Sequence, residues 1–73
     1  MHSRIIGQYN NRLAWDREVS ATVPVVFGTM FKSTSIADRW IEGESITSIL
    51  SYYPGLIKAD VWACLAYALP MIV

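Results

Sequence analysis

The sequence contains one cysteine, Cys64, and one histidine, His2. A lone cysteine excludes an internal disulfide, and one Cys with one His cannot supply the four ligands of a structural zinc site. Neither sign of charge is in excess: six Lys and Arg offset six Asp and Glu, giving a formal net charge of +0 and a pI near 6.5. Proteins that hold nucleic acid through bulk electrostatics carry a basic surplus, so DNA contact here would have to come from a local patch. The most apolar run, Val61 to Val73, is 13 residues long and broken by Pro70. About 20 apolar residues are needed to cross a bilayer, so no membrane span is expected. The opening MHSRIIGQYNNR lacks the apolar core of a signal peptide, and the expected compartment is the cytoplasm, with which a free thiol is compatible. Asp16 and Glu18 stand two apart with no second constellation, and neither a Gly-rich phosphate loop nor metal-ligand spacing occurs. Neither catalysis nor a cofactor is expected.

Apolar side chains are abundant by contrast. Hydrophobic residues make up 53% of a 73-residue chain, with three tryptophans. A chain this short buries only about 60% of its unfolded surface and commonly relies on a staple or a partner. With disulfide and zinc excluded, association remains, and a homo-oligomer, a dimer first, is expected.

Residues 1–11 form an N-terminal arm whose GQYNN is turn-like; Ile5, Ile6 and Tyr9 leave open a short added strand or a mobile segment. Residues 12–73 make a single small domain. RLAWDRE and VPVVFGTMF suit short strands within about 12–32, with a bend at Gly28. Such a two-strand ribbon needs a third strand or a helix to cover it. Three helices follow within about 34–69. Ser33 or Thr34 is the expected cap of the first, Ile36, Trp40 and Ile41 its inner face, and Gly43 its terminator. Ser45 is the expected cap of the second, where Ile46, Ile49, Leu50 and Tyr53 have helical spacing before Pro54. The third runs from about Lys58 to Leu69, apolar on every side. The order predicts an α+β fold: short strands, then a three-helix, helix-turn-helix-like (homeodomain-like) unit.

PVVFGT, IEGESITSIL, YYPGL and LAYA together resemble the bacterial family called domain of unknown function 433, without a gap from Arg12 to Ala68. Asp16, Pro24, Gly28, Thr29, Gly43, Ser45, Tyr53, Pro54, Leu56, Asp60, Leu65 and Tyr67 match its pattern, and the spacing from YPGL to LAYA is the most specific part. The resemblance implies a small helix-turn-helix-like module led by strands. It also implies an antitoxin of a VapBC-like pair, with a PIN-like ribonuclease toxin as partner and operator DNA as a possible second ligand. The chain departs from the pattern where Met30 replaces an arginine, where Thr47 and Ser48 replace two glutamates, and where Ile57 replaces a capping threonine.

Two sets of site residues follow. If the third helix reads DNA, its first turn offers Lys58, Ala59 and Trp62, a poor reading head, with Arg12, Arg17, Lys32 and Arg39 as phosphate contacts. The bland use of those cations is a solvated surface. A helix apolar all round must be covered all round, which nominates Trp62, Tyr67, Leu69, Met71, Ile72 and Val73 as anchors of a subunit or partner interface. The competing reading is that the chain's own N-terminal ribbon covers that face. Stacking of nucleobases on Tyr52, Tyr53 or the tryptophans is conceivable, with core packing the more ordinary use. Two functions are therefore expected: a non-catalytic antitoxin-like regulator, or a structural adaptor that keeps the fold without DNA contact.

Overall fold

A computed structural model describes residues 4–71. Strands β1 (Arg4–Ile6), β2 (Leu13–Trp15) and β3 (Val25–Val26) form an antiparallel sheet in the order β1-β2-β3. Helices α1 (Ser33–Ile41), α2 (Ile46–Tyr52) and α3 (Lys58–Ala68) follow, so the fold is α+β. The third strand that the ribbon needs comes from the segment read as an arm, and of its two alternatives the strand holds for Arg4–Ile6.

A 3-10 turn at Gly7–Tyr9 and two asparagines reverse the chain between β1 and β2. Asn10 and Asn11 take left-handed φ values of 55° and 60°, a region that asparagine enters at less cost than bulkier residues. The register then aligns Ile6, Leu13 and Val26 on one face and Ile5, Ala14 and Val25 on the other. Leu13 and Val26 share one buried cluster with Ile36, Ile49, Val61, Cys64 and Leu65, so the first face closes on the helices.

The strand expected across VPVVFGTMF is shorter. The chain turns at Val26–Thr29, closed by the Thr29 N–H on the Val26 carbonyl at 3.0 Å, with Gly28 at φ 82° where a type II turn requires a positive value. The Thr29 hydroxyl reinforces it, donating to the Val26 carbonyl at 2.7 Å and accepting from the Phe31 N–H at 3.0 Å.

The expected cap of α1 is also corrected. Lys32 holds the N-cap position, and the Ser33 hydroxyl is drawn elsewhere: it donates to the Pro24 carbonyl at 2.7 Å, beside the Ser33 N–H on the same oxygen at 2.9 Å. Ser33 is fully buried and ties the start of α1 to the entry of β3. Ile36 and Ala37 face the core with Trp40 half-buried, whereas Ile41, expected beside them, is 49% exposed. One residue is about 100° of helix, enough to turn Ile41 outward. At the far end, the Gly43 N–H bonds the Trp40 carbonyl and the Glu44 N–H that of Arg39, the Schellman pairing that glycine at φ 99° permits.

In α2 the Ser45 hydroxyl accepts the Ser48 N–H at 3.1 Å, the expected cap, and Ile49 is buried. For α3, the Asp60 carboxylate accepts the Ile57 N–H at 2.9 Å. Isoleucine has no side-chain acceptor to reciprocate, so only half of a capping box forms. No helix among the described residues is long and apolar enough to cross a membrane.

Candidate functional site: the outer face of the third helix

The third helix is less evenly covered than its composition suggests. Val61, Cys64, Leu65 and Ala68 are buried, while Ala66 and Leu69 are exposed and Trp62 keeps 53% of its surface. Residues 61, 65 and 68 lie on one side of a 3.6-residue helix, and 59, 62, 66 and 69 on the other. The inner side packs on α1, β2 and α2; the outer side faces out.

The intramolecular cover is real on one flank. Tyr67, expected as an interface anchor, is half-buried and meets Tyr9 and Trp15 edge-on, with ring centroids 6.1 and 6.2 Å away. The N-terminal elements cover this flank, as the competing reading had it. On the other flank Trp62 packs edge-on against Trp40 at 5.8 Å. Between the flanks lies a groove of about 360 Å³, walled by the 3-10 turn through Gln8, Tyr9 and Asn10 and floored by Ala59, Ala63 and Ala66 beside Trp62. All these residues are uncharged. Of the remaining expected anchors, Met71 belongs to the closing turn Leu69–Met71, and Ile72 and Val73, like His2, lie outside the described residues. Gln8 and Asn10 were legible only as turn formers, since nothing local relates them to a helix fifty residues later.

The basic residues do not form one cluster of unengaged charge. Arg12 contacts the Asp60 carboxylate at 3.1 Å, joining the start of β2 to the first turn of α3. Arg39 bonds Glu44 at 3.0 Å and lies 3.8 Å above the Tyr52 ring, a cation–π contact that secures the α1–α2 corner. Arg17, Lys32 and Lys58 are exposed. Met30, where the resemblance has arginine, is 75% exposed just beyond the β3 turn.

Among the described residues no group of three or more His, Cys, Asp or Glu could hold a metal ion. Cys64 is sealed in the core, and burial, with the Asp60 charge adding to it, pushes its thiol from an ordinary 9.0 up to about 12. In the native protein the thiol is expected to resist iodoacetamide at pH 8 and to react once the chain is denatured, which intact-mass spectrometry checks. The unfolded chain releases this proton first, so the shift's contribution to stability is present below about pH 9 and is lost as pH rises towards 12.

No curated protein and no solved structure matches the chain. The family model described as Protein of unknown function (DUF433) matches residues 15–68 of the 73, from the last residue of β2 through the last of α3, and the chain belongs to that family.

Proposed function

We propose that this chain is a non-catalytic regulatory protein that acts by binding another protein through the outer face of α3. The observation that carries the reading is Trp62, 53% exposed beside an uncharged groove. Tryptophan is among the residue types that dominate interface energetics. The resemblance to VapB-type antitoxins supplies the kind of partner, a PIN-like toxin ribonuclease. Operator DNA is a further ligand of this proposal, with Arg17, Lys32 and Lys58 among the exposed cations available to phosphates.

The test is co-expression with the product of the adjacent gene. A stable complex that relieves growth arrest, and that Trp62→Asp abolishes while circular dichroism stays native, is the expected result. Co-purification unaffected by Trp62→Asp would place the contact elsewhere, and absence of any complex or toxicity would remove the antitoxin reading.

One observation favours a second reading, an adaptor without DNA contact: Arg12 and Arg39 are engaged within the fold, and the chain has no net charge. Operator binding that weakens steeply with salt would exclude this alternative.

A further inference from the structure

We infer that the turn between β1 and β2 is the specificity element of the partner-binding face: α3 supplies the contact area, and the carboxamides of Gln8 and Asn10 choose the partner. The inference rests on the reading of this face as a protein-binding surface and names the chemistry it selects.

The two sides of the groove differ in origin. Its floor, Ala59, Ala63 and Ala66 with Trp62 beside them, lies within residues 15–68, the stretch that carries the family. Its far wall, through Gln8 and Asn10, lies outside that stretch. The family module thus brings the floor, and the wall is added by the strand that precedes it. That wall is held in place. β1 pairs with β2 over three residues, the Arg12 N–H bonds the Tyr9 carbonyl at 3.0 Å, and the Tyr9 ring meets Tyr67 edge-on.

The two sides also differ in what they can distinguish. Alanine methyls and an indole face accept any apolar side chain of fitting size, and one methylene more or less changes such a contact only about 10–200-fold. A polar group covered without a matching partner discriminates far more strongly, by up to about 10⁴-fold or more. Apart from the Trp62 N–H, the side-chain polar groups of the groove stand on the wall. The Gln8 amide donates to the Tyr9 hydroxyl at 3.3 Å, which leaves its carbonyl free to accept. The Asn10 carboxamide makes no hydrogen bond among the described residues. Both side chains are exposed in the free protein, where water satisfies them. A partner that displaces this water must replace its hydrogen bonds.

Charge narrows the chemistry. No residue lining the groove is charged, so a carboxylate or ammonium seated there would be desolvated without a counter-ion. The selected segment is neutral: an apolar side chain on the alanine floor, flanked by peptide groups, hydroxyls or carboxamides that meet Gln8 and Asn10.

The test is a binding titration of the full chain against two probes, with circular dichroism on every variant. One probe is the product of the adjacent gene; the other is the product of the gene adjacent to a second family member. Gln8→Met keeps the length of the side chain without its amide. Asn10→Gly removes the carboxamide and tolerates a φ of 55°. The wild type is expected to prefer its own neighbour by at least about 100-fold. The Gln8→Met/Asn10→Gly double variant should bind that neighbour at least about 10-fold more weakly and the foreign probe no worse, so the preference collapses. Trp62→Asp should abolish both. A wild type without preference overturns the inference, as does a double variant that keeps the full preference or weakens equally towards both probes. If any of these occurs while Trp62→Asp still abolishes binding, only the specificity element fails. If Trp62→Asp binds like the wild type, the binding face itself is wrong, and a chain that binds neither probe overturns both readings.

Discussion

Leu13→Ala is expected to lower the unfolding free energy by about 2–5 kcal/mol, the range for truncating a fully buried leucine. Leu13 has no exposed surface, sits on the central strand between Ile6 and Val26, and shares the cluster that contains Ile36, Ile49 and Val61. Its side chain is where the three-residue strand β2 meets the helices, and neighbours on both sides are held by hydrogen-bonded strands, so the vacated space cannot readily collapse. A domain this small has on the order of 4–11 kcal/mol in total, so the variant loses a large fraction of it. Ile41→Ala is the matched control: Ile41 is 49% exposed, and a change there should stay within about 0.5 kcal/mol. Urea denaturation of both variants, with an unchanged m-value, makes the comparison. A Leu13→Ala loss below about 1 kcal/mol would mean that the sheet is an appendage and not part of the helical core.

The contrast between Leu13 and Ile41 also marks what a sequence shows and what it hides. Local chemistry was legible. Ser45 caps α2 because its hydroxyl needs only the N–H three residues on, and Gly43 ends α1 because the turn needs a positive φ. Where a long-range partner competes, local reading fails. Ser33 has the side chain of an N-cap, yet its hydroxyl belongs to the carbonyl of Pro24, nine residues earlier and across the fold. The candidate site divides in the same way. Trp62 could be nominated from the lack of a polar side on α3, but which flank would stay open could not. That depends on Tyr9 and Trp15 packing against Tyr67, and on a turn built from two left-handed asparagines that supplies the groove's far wall. Beyond its first turn the third helix is apolar all round, and only tertiary contact makes its sides unequal.

The second large effect is expected at the residue that sets this inequality. Asp60 is 7% exposed, receives the Ile57 N–H at 2.9 Å and meets Arg12 at 3.1 Å, 48 positions earlier in the chain. Two residues of helix rotate by about 200°, so holding Asp60 against the sheet turns Trp62 to the opposite, outer side. Asp60→Ala removes a cap worth about 0.5–2 kcal/mol and a hydrogen bond between charged groups worth about 1.5–3 kcal/mol. The second figure is discounted because the Arg12 side chain is 37% exposed and partly screened by water. The expected sum is about 2–3 kcal/mol. Asp60→Asn keeps an acceptor for the Ile57 N–H and should recover about 1 kcal/mol of it. The double-mutant cycle with Arg12→Ala should return a coupling of about 1 kcal/mol, and 0.5 M salt should reduce it only in part because the carboxylate is buried. A coupling near zero would show that solvent screens the pair and that the cap alone fixes α3. A coupling of the expected size would make the Arg12–Asp60 contact the element that orients the helix, and thereby the one that presents Trp62 to a partner.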